Sequence, residues 1–157
     1  MDLRAMLKAL KLGLVLPPQL KDDGDFAGNT YFDTAGLAAV MFLFAVGTTD
    51  VASGDAIGST AEGTAPLVEE CDETGGSYTA VANAALADSI QYDEDDKLFG
   101  ICVDLAKSHK RYMRVQAPHT AAGAVNGSNL AIVAIGFPSN VMPRSAAEMG
   151  LTELIEA

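Results

Sequence analysis

The chain has 157 residues, enough for one domain with its own core, and a formal net charge of -11. An acidic body repels phosphate backbones and anionic membranes, which excludes non-specific contact with either. Hydrophobic residues make up 49%, but they are rich in Ala and Val, include no Trp and are broken by 15 glycines; this composition suits short strands and turns better than long helices.

In chain order, Leu3, Met6, Leu7 and Leu10 have helical spacing until Gly13, Pro17 and Pro18 interrupt it. Residues 1–27 are therefore expected to form an N-terminal arm that leaves the body, carrying its own bases Arg4, Lys8 and Lys11. The apolar run at 12–16 is too short, and too close to two prolines, for a secretory leader. The stretch AGLAAVMFLFAVG at 35–47 is too short to span a bilayer. Its AVMFLFAV portion is apolar at every position, the signature of a central strand packed on both faces.

The following segment, 48–65, is rich in Gly, Ser, Thr and Ala and reads as a long loop with room for one short strand. PLVEECDE at 66–73 reads as an edge strand with its charge outward. The stretch 78–92 is either an Ala-rich helix or a pair of strands, and periodicity leaves both open. DEDDK makes an acidic corner before LFGICVDL, and after the basic turn the chain resumes as YMRV, so 98–117 reads as a hairpin. NLAIVAIGF at 129–137 is a second doubly apolar strand. The end carries two prolines, then Ser145 and Glu148 spaced as a capping box for a short helix. The pattern predicts an all-β fold, an antiparallel jelly-roll-like β-sandwich at 28–138 between the arm and a C-terminal tail at 139–157.

Chemistry-bearing constellations are few. The clusters Asp22-Asp23-Gly24-Asp25 and Asp93-Glu94-Asp95-Asp96 are contiguous acids without the spacing of a calcium loop and read as solvated turns. His109 and His119 have no second ligand at zinc spacing, and no nucleophile elbow or phosphate loop accompanies them, so neither enzyme, metal nor cofactor is expected. Cys71 and Cys102 are expected to be reduced, because a core of this size needs no staple. Lys107, His109, Lys110, Arg111 and Arg114 form the densest basic run. One short turn offers few phosphate contacts, so the run reads as solvated surface or as a subunit contact, pairing with acids of its own corner at 93–96 or of a neighbour.

As a set, the FDT.G entry at 32–36, DDKLFGICVDLAKSHKRYMRV at 95–115, and AIVAIG before a Pro-containing tail resemble capsid decoration or cement proteins of tailed bacteriophages. The resemblance covers about residue 28 to the end. It implies a non-catalytic virion protein that binds the major capsid protein on the outer shell as a homotrimer, made in the host cytoplasm, with neither nucleic acid nor membrane as partner. The basic residues Lys107, His109, Lys110, Arg111 and Arg114, with Arg4, Lys8 and Lys11 of the arm, would then be subunit or capsid contacts. The alternatives are a minor head or head-tail joining component, and a carbohydrate-binding β-sandwich. The carbohydrate reading requires exposed aromatics on one face, and the Tyr and Phe residues here fall mostly inside strand runs; a host-surface glycan stays open as a partner of the outer face.

Overall fold

A computed structural model describes residues 10–21, 26, 30–50, 54–58, 65–118, 127–138 and 153–156. Every regular element in it is a strand: β1 (Lys11–Lys21), β2 (Phe32–Asp33), β3 (Ala39–Asp50), β4 (Asp55–Ile57), β5 (Leu67–Cys71), β6 (Thr79–Ala85), β7 (Ile90–Gln91), β8 (Leu98–Asp104), β9 (Tyr112–Gln116), β10 (Gly127–Phe137) and β11 (Glu153–Glu156). They form a five-stranded sheet, β1-β10-β3-β8-β11, a four-stranded sheet, β2-β9-β5-β6, and a ribbon, β4-β7. Neighbours are antiparallel except β11, which runs parallel to β8.

The two apolar strands singled out in the sequence are neighbours inside the larger sheet. With a side-chain period of two, Val40, Phe42, Phe44 and Val46 of β3 and Leu130, Ile132 and Ala134 of β10 point to one face. Phe32, Val68, Val81, Met113 and Val115 of the four-stranded sheet meet them there, and all belong to one buried cluster. The molecule is thus a β-sandwich, each large core side chain contributing about 1.5–3 kcal/mol of burial. Ala56, Ile57 and Ile90 of the small ribbon join the same cluster.

The other face of the five-stranded sheet is also apolar. Cross-strand rows run Leu12–Ile135–Met41–Cys102, Leu14–Val133–Leu43–Gly100 and Ala131–Ala45–Leu98. Met41 and Cys102 are buried in a second cluster with Leu43, Leu98 and Ile135 around them, whereas Leu12 and Leu14 are 68% and 54% exposed. Across β1, β10, β3 and β8 these three rows hold no charge, but the next row, Phe137–Ala39–Asp104, ends in Asp104, and β11 sets Glu156 beside Cys102. Outward faces of antiparallel sheets are ordinarily polar, so this face departs from the usual alternation.

Several expectations need correction. The segment 11–21, placed in a departing arm, is the edge strand of the larger sheet, with Val15 and Leu16 buried. Its two prolines fit because an edge strand has one side without a ladder, and the register shifts beside them, at Leu14/Leu16 and Leu16/Gln19. β5 is an inner strand, between β9 and β6. The segment 98–117 is no hairpin, since β8 lies in one sheet and β9 in the other; the basic loop carries the chain across the sandwich. The open reading at 78–92 resolves to β6 and β7, with Asn83 at φ 61 in a register shift of β6 against β5. The tail contributes β11, and Ile155 packs on the core. The helix proposed around Ser145, and the acids 22–25, lie outside the described residues.

The entry to β3 shows local chemistry serving the fold. Leu37 N–H bonds to Thr34 C=O at 3.1 Å, with Gly36 at φ 78 in the third position, where a type II turn requires a left-handed residue.

Candidate functional site

The basic loop and β9 rest on acids of β2 and β5. In the register Glu69↔Arg114 and Cys71↔Tyr112, Tyr112 and Arg114 share the outer side of the four-stranded sheet, while Met113 and Val115 enter the core. Arg114 donates from Nε to Glu69 Oε2 at 2.8 Å, its Nη2 lies 2.8 Å from the same oxygen, and its guanidinium sits 4.1 Å from the Tyr78 ring centroid. Burial raises the Tyr78 phenol above its ordinary value, the neighbouring Cys71 adding to the shift.

Arg111 donates from Nε and Nη2 to the two oxygens of Asp33, each at 2.9 Å, a bidentate fork. That hydrogen bonding, with the Ala35 N–H as a further donor, holds the Asp33 carboxyl well below the usual carboxylate range. Asp33 in turn raises Arg111. Lys11 donates to the Asp33 carbonyl and lies over the Phe32 ring. Tyr112 meets Tyr31 edge-on, centroids 5.3 Å apart, with Arg111 5.1 Å from the Tyr112 centroid.

Glu70 Oε2 accepts from His109 Nδ1 at 2.9 Å and from the Lys110 backbone N–H at 3.0 Å. The pair is largely buried, and His109 Nε2 is buried with no hydrogen-bond partner. Lys110 Nζ donates to Thr79 Oγ1 at 3.3 Å. Beside these residues lies a cavity of about 390 Å³, lined by Thr34, Ala35, Leu37, Asp72, Leu105, His109, Lys110 and Arg111.

The predicted basic residues therefore divide. His109, Lys110, Arg111 and Arg114 converge on one side of the four-stranded sheet and its loop, each with an intramolecular partner; Lys11 reaches the same region from β1. Lys107 is exposed in the turn after β8. Arg4 and Lys8 lie outside the described residues. The pairing acids are Asp33, Glu69 and Glu70, not the corner at 93–96. That corner serves its own loop. Asp95 accepts from Thr49 N–H at 2.7 Å and from Thr49 Oγ1, which holds its carboxyl below the ordinary value, and Glu94 accepts from Gln91 N–H.

As chemistry, the site binds more readily than it reacts. A carboxylate-oriented imidazole is the base half of a dyad, but neither a serine nor a cysteine bonds to His109 Nε2. Among the described residues no group of three His, Cys, Asp or Glu side chains could hold a metal ion, and no described helix is long and apolar enough to cross a membrane. No family model, curated protein or solved structure matches the chain. Sequence reasoning missed Asp33, Glu69, Glu70, Asp72 and the tyrosines 31, 78 and 112. The period-two alternation of Tyr112 and Arg114 against Glu69 and Cys71 was the available signal.

Proposed function

We propose that the chain is a non-catalytic structural protein of a tailed-bacteriophage virion, decorating and cementing the outer capsid shell as a homotrimer in contact with the major capsid protein. The observation that carries this reading is the apolar outer face of strands β1, β10 and β3, buried at Met41 and exposed at its β1 edge through Leu12 and Leu14. Large exposed apolar patches on a folded protein mark association surfaces. On a molecule of charge -11, contact at this β1 edge, across the sheet from Asp104 and Glu156, buries apolar surface while desolvating few ions. A rigid sandwich with one exposed apolar sheet edge suits a clamp, and repeated copies on a shell gain avidity.

Arg111, Arg114 and His109 have a smaller part in this reading than the resemblance implies, because Asp33, Glu69 and Glu70 already pair with them, which leaves Lys107 and Lys110 as the cations of the loop without an acidic side-chain partner among the described residues. Contact through the apolar sheet face replaces contact through the loop. Co-sedimentation of the purified protein with capsid shells that lack it, alongside sedimentation equilibrium of the free protein, tests the proposal. Saturable shell binding with a trimeric mass supports it. A monomer at high concentration that leaves shells bare overturns it.

A further inference from the structure

We infer that the outer face of the four-stranded sheet, with the cavity beside Arg111, is a binding site for a neutral saccharide. This inference does not rest on the capsid reading, because it concerns the opposite side of the sandwich and is tested on the free protein.

Three of the chain's four tyrosines, Tyr31, Tyr78 and Tyr112, come together there although they lie far apart in sequence. Tyrosine offers a flat apolar body with a polar tip and few torsions to freeze, which suits a recognition platform. Between the rings stand two guanidinium–carboxylate pairs, Arg111 with Asp33 and Arg114 with Glu69. Guanidinium only donates and an ionised carboxylate only accepts, so the face alternates donors and acceptors while its pairs carry no net charge. A pyranose ring matches such a surface, with an apolar C–H face for a tyrosine ring and a rim of hydroxyls that both donate and accept.

The cavity adds concavity. Ala35, Leu37 and Leu105 supply apolar wall, and Asp72, Lys110 and Arg111 converge as polar groups. Five of the eight lining residues are polar, more than a typical small-ligand site carries, which suits a hydroxyl-rich ligand, and about 390 Å³ falls at the small end of the range. Arg111 belongs to both parts, lining the cavity and lying against Tyr112.

The same features disfavour other occupants. A phosphate backbone needs many free cations, and with both arginines engaged Lys107 and Lys110 are too few. A protein interface builds its centre from contiguous apolar surface, whereas among the described large hydrophobics that are exposed only Tyr31 lies on this face, the others being Leu12, Leu14 and Leu20 of β1 and Tyr92.

The test is an NMR titration of the ¹⁵N-labelled protein with the methyl glycosides of glucose, galactose, mannose and N-acetylglucosamine, each to about 20 mM, because single sugars are expected to bind with millimolar-range Kd. At least one should move the amides of Thr34, Lys110, Arg111 and Tyr112 in a saturable way. Tyr112→Ala and Asp72→Asn should each weaken that sugar about tenfold, and Tyr92→Ala, altering an exposed tyrosine elsewhere, should not. Circular dichroism confirms that each variant is folded. If none of the four sugars moves these amides, if shifts appear elsewhere, or if Tyr112→Ala binds as the parent does, the inference is overturned. A capsid protein that protects this face while the sugars do nothing makes it a protein interface instead.

Discussion

Glu70 holds the basic loop, and its removal has a size that can be worked out. Both bonds, from His109 Nδ1 and from the Lys110 N–H, fall on Oε2, and the His109 and Glu70 side chains are only 12% and 15% exposed. Glu70→Ala leaves a backbone N–H and a ring N–H without an acceptor where water reaches poorly, at about 1–3 kcal/mol per stranded group, less what loop relaxation recovers. A net loss of about 2–3 kcal/mol is expected. With a urea m-value of about 2 kcal/mol/M, appropriate to a domain of this length, the midpoint should fall by about 1–1.5 M. Glu70→Gln is the informative companion: one amide oxygen can accept both bonds, so only the charge assistance is lost and the expected cost is about 1 kcal/mol. A cycle with His109→Ala should show a coupling of about 1 kcal/mol. If Glu70→Ala moves the midpoint by less than about 0.2 M, or if Gln and Ala cost the same, the loop is not held by this oxygen and the reasoning fails.

Acid should weaken the Asp33–Arg111 link in a defined direction. The folded pKa of Asp33 lies below its ordinary 3.8, so its contribution is complete above that value and is lost as pH falls through the folded pKa. The melting-temperature gap between the parent and Asp33→Asn should therefore be constant from pH 7 to 5 and close as pH approaches 2; a gap that widens on acidification contradicts this. Cys71 lies on the outer side of one sheet with Tyr112, and Cys102 on the outer side of the other with Met41. The two sheets separate them by well over a disulfide's reach, so intact mass under oxidising conditions should show no internal bridge. Leu14→Glu, at a half-exposed position, should change stability by no more than about 0.5 kcal/mol while abolishing shell binding or self-association; unaltered binding removes the apolar face from the proposed function. Phe42→Ala, at a fully buried position, should cost about 3–5 kcal/mol in urea unfolding, and a loss below about 1 kcal/mol would place the core elsewhere.

The strand content and the two central strands were legible because Ala39–Asp50 and Gly127–Phe137 are apolar at nearly every position, which only a strand covered on one side and apolar on the other can use. Sheet membership was not. LFGICVDL and YMRV, separated by a basic turn, look like hairpin arms, and sequence pattern alone does not distinguish a turn within a sheet from a loop crossing between two. β1 was hidden for a different reason: Pro17 and Pro18 argue against a strand unless it is an edge, and an edge is a property of the assembled sheet. The site was half legible. The bases stood out as a cluster, but their partners, Asp33 and Glu69 among them, lie 78 and 45 residues away from the arginines they bind. Local charge counting therefore pointed to a partner molecule for charges that the fold itself neutralises.

That internal neutralisation governs what each side of the sandwich can do. The larger sheet turns an apolar face outward that is exposed at its β1 edge, where contact gains from burying area and needs little direction. The smaller sheet turns outward a set of rings and ion pairs whose donors and acceptors are fixed by Asp33 and Glu69, where contact gains from directed hydrogen bonds and stacking. Reversing one arginine would separate the two behaviours. Arg111→Glu places a second carboxylate beside Asp33 and against the Tyr112 ring, so it should destroy recognition on the aromatic face and loosen the loop. On the opposite face it leaves the row Leu14–Val133–Leu43 untouched. Loss of association through both faces from that single change would mean that the two surfaces are one functional unit, coupled through β9 and the core beneath it.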